Sequence, residues 1–320
     1  MRWAILVVGL VLVSSASARQ TGGTPVALVT AEQQNELLAV ELPSGKVLRR
    51  VSLPADPQNV AVGNRTIAVV STGAGAVTLL GERSLRILKV FRGLSDPHIV
   101  ATSSSGRLAY VTADGSGELV VIGLRARRIL DRVFVGAGAH HLAVSPGGKR
   151  LWIALGERAS EISIVDVSRP SRPRLLRRFS PGFTAHDLTF SPDGRRVWVT
   201  SGIGDSVYAL NARTGRRAFA VRVGPAPQHV AFNPIPALAG YAFATSGYGH
   251  RIVKVDARTG RVLKTATTPT GSFNLSTFGG LVVTTSLLDG TVTEFDTNLR
   301  RLMSARVARA TRAVAVTVWP

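Results

Sequence analysis

The sequence contains no cysteine. Disulfides and thiolate metal sites are therefore excluded, and the fold must hold by its core alone. Aromatic residues are only 6% of the 320. They form no basic-aromatic stacking platform of the kind single-stranded nucleic acid uses, so nucleic acid is set aside as a partner. Acids are scarce, with 19 Asp and Glu against 39 Lys and Arg, a net charge of +20. That balance suits an anionic partner such as a wall polymer or a lipid surface. A GC-rich coding bias, in which arginine outnumbers lysine, would give the same charge without any partner. Enzyme motifs are missing too. There is no Gly-x-Ser-x-Gly elbow and no His-Glu-x-x-His pair. "GSGELVVIG" precedes no helical pattern and so is not a dinucleotide fingerprint. Asp56-Pro57 and Asp96-Pro97 read as turn formers.

Long apolar runs are also lacking, with one exception, Trp3 to Val13. It follows Arg2 and precedes the small residues Ala16-Ser17-Ala18. This is the pattern of a secretory signal peptide over residues 1–18. The run is shorter than the roughly 20 residues a bilayer crossing needs. The expectation is an exported, soluble, monomeric protein with a short segment at 19–25 and one domain over 26–320.

What the chain does have is a repeat. "HHLAVSPGGKRLWIALG" from His140 and "HDLTFSPDGRRVWVTSG" from His186 are each an apolar run, a Ser-Pro-x-Gly turn and a second apolar run. The second runs recur as "VALVTA" (26), "TIAVVST" (66), "LAYVTA" (108), "LWIALG" (151), "VWVTSG" (197), "YAFATSG" (241) and "LVVTTS" (281), about every 40 to 46 residues. Third and fourth strands follow each. Short strands between Gly-rich turns at this period predict an all-β, seven-bladed β-propeller with four antiparallel strands per blade. The chain opens on a second strand and closes with "RAVAVTVWP", a first-strand pattern. The C-terminal strand is thus expected to complete the N-terminal blade and close the ring, leaving no free sheet edge between blades.

The repeat resembles that of the YVTN-type β-propellers of surface-layer and cell-envelope proteins. Tyr110-Val111-Thr112-Ala113 and Val197-Trp198-Val199-Thr200 stand for the strand that gives that family its name, and "DARTGRVL" from Asp256 for its third turn. The resemblance spans about Val26 to Trp319 and is weakest around "TGAGAVTLLGERSLR". It implies the fold and an envelope setting, and says little of activity.

In such a ring the first strands line the central channel. The positions leading into them read Gln58-Asn59, Pro97-His98, His140-His141, His186-Asp187, Gln228-His229, Phe273-Asn274 and Arg312-Ala313. Five of the six histidines fall there, and the sixth, His250, falls in a loop on the same face. The candidate ligand-binding set is therefore Asn59, His98, His140, His141, His186, Asp187, His229, His250, Asn274 and Arg312. Converging neutral imidazoles suit zinc, copper or iron, and His141, His186 and His229 are the candidate ligands of a divalent metal ion. A plainer reading stays open, since a repeat places one residue type at one radius whether or not it binds anything. Acids share this top face, among them Glu32, Asp56, Asp96, Asp114, Glu157 and Asp205, while arginines crowd the opposite turns and the outer strands.

Two functions follow as expectations. One is an exported envelope binding or scaffold module whose partner is an envelope protein, an anionic wall polymer or a small ligand. The alternative is a metal-dependent propeller hydrolase or lyase, lactonase-like, with histidine ligands at the channel mouth.

Overall fold

The computed structural model describes residues 23–156 and 160–320. The expected signal peptide, residues 19–22 and Glu157 lie outside the described residues. Twenty-eight strands form seven four-stranded antiparallel sheets arranged as a propeller, with no α-helix among the described residues. No helix there is long and apolar enough to cross a membrane.

Blade 4 shows the plan. Its strands β12 (Ala139–Val144), β13 (Arg150–Leu155), β14 (Ile162–Asp166) and β15 (Arg174–Phe179) run in order from channel to rim. β13 is buried along nearly its whole length because neighbouring blades cover both of its faces, so it reads as a continuous apolar run. β15 is mostly exposed and arginine-rich. Charged residues on such an outer edge discourage pairing with other chains.

The Ser-Pro-x-Gly turns are built by their own residues. Gly148 and Gly194 adopt φ of +65° and +68°, a conformation that side chains resist. Ser145 and Ser191 accept hydrogen bonds from the backbone N–H groups of Arg150 and Arg196, which closes each turn.

Packing between blades follows the same repeat. The third residue of the second strand is large and aromatic in blades 3 to 6: Tyr110, Trp152, Trp198 and Phe243, each almost fully buried. Trp152 meets Phe179 of its own rim strand and Phe190 of the next blade edge to face, with centroids 5.4 and 6.1 Å apart. Trp198 does the same with Phe219 and Phe232, at 5.6 Å each. These wedges weld neighbouring blades; removing such a ring costs about 3–5 kcal/mol.

The ring closes as the sequence predicts. β28 (Val314–Trp319) pairs with β1 (Thr24–Ala31) in the register Ala27↔Val316, so the two chain ends build one sheet.

Candidate metal centre at the channel mouth

The innermost strands are β4 (Pro57–Gly63), β8 (Pro97–Thr102), β12, β16 (Ala185–Phe190), β20 (Val230–Phe232), β24 (Ser272–Phe278) and β28. Their leading residues surround one cavity of about 320 Å³. A threonine of the second strand latches the backbone there. Thr200 accepts the N–H of Asp187 at 2.9 Å and donates to the carbonyl of Gln228 in the next blade at 3.1 Å. Thr112 likewise joins Ile99 to His140, and Thr245 and Thr285 donate to the carbonyls of Phe273 and Arg312. Blade 4 has Ala154 at this position and forgoes the latch. Where it is present, the threonine of the repeated strand ties mouth residues of neighbouring blades together.

Eight of the ten sequence-predicted site residues line the cavity: Asn59, His98, His140, His141, His186, His229, Asn274 and Arg312. Asp187 is buried against His141 and His229 without lining it. His250 is exposed in the loop after β21 (Tyr241–Ser246), where its Nδ1 meets the Thr270 hydroxyl, away from the cavity wall. Asn59 also does structural work, since its Oδ1 accepts the N–H of Val100 in the next blade.

The five mouth histidines form one cluster. His98 stacks on His140 with centroids 3.8 Å apart. His141 lies 4.3 Å from His186 and 5.2 Å from His229, while His186 and His229 are 6.1 Å apart. Two groups bring their donor atoms within 4.8 Å of one another: His98, His140 and His141, and His141, Asp187 and His229. His141 belongs to both. His186 belongs to neither, although its ring packs on His141.

The hydrogen bonds decide which ring nitrogen is free. His140 Nδ1 meets Asp114 at 2.6 Å, His141 Nδ1 meets Asp187 at 3.2 Å, His229 Nδ1 meets the other Asp187 oxygen at 3.3 Å, and His186 Nδ1 meets the Gln228 carbonyl at 3.3 Å. Carboxylates and carbonyls only accept, so each Nδ1 carries the proton in the neutral ring. Nε2 is then left as an unprotonated donor on four rings. Oxygen partners of this kind orient metal-binding imidazoles.

Charge supports the same state. Burial, followed by the nearby His140, holds His98 well below the ordinary histidine range. Burial, followed by His186, does the same to His141. His186 is lowered to about 4 by burial and then by His229. Burial alone would raise Asp187, but His229 and the hydrogen bonds from His141 and His229 outweigh it, and its carboxyl titrates well below the usual range. At neutral pH the mouth thus holds neutral His98, His141 and His186 beside a charged Asp187.

Sequence reading passed over two features of the site. Asp114 was placed on the top face but not assigned to a histidine; its loop position left its aim open. The cavity lining also includes apolar residues outside the leading slots, among them Ile203, Tyr248 and Leu287. Ile203 and Tyr248 are 69% and 61% exposed. Their signal was a lone apolar residue in the Gly-flanked loops "GIGD" and "SGYGH".

Relatives agree with the architecture. The structure of apo AztD from Citrobacter koseri superposes with a TM-score of 0.73 at 10% identity, over 92% of this chain and 98% of that one. A functionally unknown protein from Desulfotomaculum acetoxidans gives 0.78 at 13% identity, over 91% and 98%. Hydrazine synthase from Kuenenia stuttgartiensis gives 0.71 at 15% identity, over 91% and 100%. At these identities the likeness is one of fold. No curated protein matches the chain by sequence. The family described as cytochrome D1 heme domain matches residues 62–168. The family described as outer membrane protein assembly factor BamB matches residues 132–314, more than half of the chain, and to that family of propellers the chain belongs.

Proposed function

We propose that this chain is an exported propeller module of the cell envelope that binds a divalent d-block metal ion at its channel mouth. The observation that carries the reading is the set of four rings, His140, His141, His186 and His229, whose Nδ1 atoms are held by oxygen acceptors. That pattern leaves Nε2 unprotonated in the neutral rings, and burial disfavours protonation of His141 and His186. His98, His140 and His141 supply the first set of donors, with Asp114 and Asp187 orienting two of the three. Three protein donors leave an open coordination position toward the cavity, where a small ligand or a partner's side chain can enter. The YVTN-type repeat, the signal-peptide pattern and the description of the BamB family support the envelope setting.

Protein purified without a polyhistidine tag and dialysed against Zn(II) should retain the metal in stoichiometric amount. Changing His98 and His140 together to Gln should weaken retention at least tenfold with the fold intact by circular dichroism. Tag-free protein that takes up no Zn(II), Cu(II) or Co(II) would sink the reading.

The basic outer strands suit an anionic wall polymer in the same setting. Arg174 and Arg222 reach outward with side chains 69% and 84% exposed. Binding to a teichoic-acid-like polyphosphate should fall steeply between low and physiological salt. Binding indifferent to salt would reject that partner.

A further inference from the structure

His141 is shared between the two donor groups. Its Nδ1 edge faces Asp187 at 3.2 Å, so its Nε2 edge is the one open to the ion of His98 and His140. Asp187 is buried and its two oxygens are divided, with Oδ1 toward His141 and Oδ2 toward His229 and the backbone N–H of Val230.

The distances in this second group are informative. The His140–Asp114 contact, at 2.6 Å, is a close charge-assisted hydrogen bond. The two imidazole contacts of Asp187, at 3.2 and 3.3 Å, lie at the long end of the roughly 2.7–3.2 Å of an N–H···O hydrogen bond. Bonds of about 2.0–2.1 Å at a tetrahedral angle place two ligand atoms about 3.3 Å apart. The Asp187 contacts have that ligand spacing, while the Asp114 contact is an orienting hydrogen bond.

Resting on the metal-binding reading above, we infer that the mouth holds two metal ions, with a second divalent ion on His141, Asp187 and His229 and the His141 ring bridging it to the first. The second ion takes the place of the protons that His141 and His229 otherwise direct at Asp187. The His141 proton passes to solvent and leaves that ring an imidazolate with one nitrogen on each ion, while the His229 ring stays neutral, its proton moving from Nδ1 to Nε2 as Nδ1 takes the ion. The charge of the pair is met by that imidazolate, by Asp187 bound directly and by Asp114 behind His140. His229 borders the cavity, and Asp187 is buried without lining it.

Metal stoichiometry separates this inference from the reading it rests on. Tag-free protein is titrated with Cu(II) alone, with bound metal measured by elemental analysis and coupling by electron paramagnetic resonance. The expected result is two Cu(II) per chain with a spin-coupled spectrum. His98→Gln and His229→Gln should each retain one ion and show an uncoupled single-copper signal. His141→Gln should lose both. Thermal melts of the three variants check that each is folded, and His229→Gln, at a partly exposed position, keeps the test available if His141→Gln fails to fold. One equivalent in the parent protein, or two uncoupled ions, would overturn the bridged pair while leaving a mononuclear centre. No binding at all would overturn both.

Discussion

Two buried carboxylates, two blades apart in the same ring, have opposite fates. Asp187 is the third residue of β16, the channel strand of blade 5, and Glu294 sits in β26 (Thr291–Asp296) of blade 7. They are 8% and 2% exposed. Asp187 faces the N–H of Val230 and the rings of His141 and His229, and its carboxyl is held charged. Glu294 stands in register with Val283 and Met303, and its Oε2 has no partner. Burial pushes its carboxyl up to about 7. Burial penalises both charges, and the donors decide which survives. A carboxylate kept charged beside imidazole rings makes a site for a cation, whereas a carboxyl without donors in a sheet is a core residue that titrates late.

The largest effect that tests this contrast is loss of Asp187. Asp187→Ala strands the Val230 N–H and frees two imidazoles, and it should cost about 3 kcal/mol or more of folding stability. It should also weaken metal retention at least tenfold. Urea unfolding and metal analysis measure the two; an unchanged midpoint would mean that the hydrogen bonds to Asp187 carry no net stability.

Acid gives the next effect, in the metal-free protein. His186 titrates near 4 in the folded state, below the 6.5 of an unconstrained histidine. Its contribution is whole above about pH 6.5 and declines as the pH falls toward 4, because the unfolded chain takes up a proton that the folded one refuses. That lowering corresponds to about 3 kcal/mol. His98 and His141 act in the same direction. His186→Gln should flatten the curve of stability against pH across that window. A slope identical to that of the parent would show that His186 protonates freely in the fold.

Glu294 should give the smallest effect, with the opposite sign. Its raised value means that stability is lost as the pH rises from about 4.5 through 7. Glu294→Gln should raise stability by about 1–2 kcal/mol at pH 8 and leave it unchanged at pH 5. Equal gains at both pH values would attribute the change to packing instead of charge.

Much of this molecule is legible without coordinates. The Ser-Pro-x-Gly turns mark their hairpins because the residues that bend the chain also close the turn, as Ser145 and Gly148 do. Trp152 and Trp198 recur at one strand position because each fills the same wedge between blades. The leading slots of the first strands identify eleven cavity-lining residues, because every first strand enters the ring at the channel mouth, and Thr200 and Thr245 tie some of these slots to the next blade. Less legible is where a side chain points within its slot. His186 fills the same slot as His140, yet His140 joins a donor group and His186 stays outside both, its Nδ1 on the Gln228 carbonyl. Asn59 occupies the same slot as His141 and Asp187 but is committed to Val100.

By itself the sequence determined the all-β class, the seven units, the ring closed by its last strand and the histidine-rich mouth. Those follow from period, turn chemistry and alternation, which are local properties of the chain. Tertiary structure alone decided that Asp114 pins His140, that one Asp187 serves both His141 and His229, and that Glu294 is left without donors. The reason is physical: these contacts join residues 26 to 46 positions apart on different blades, and their geometry depends on how one sheet is staggered against the next, which no repeat unit encodes.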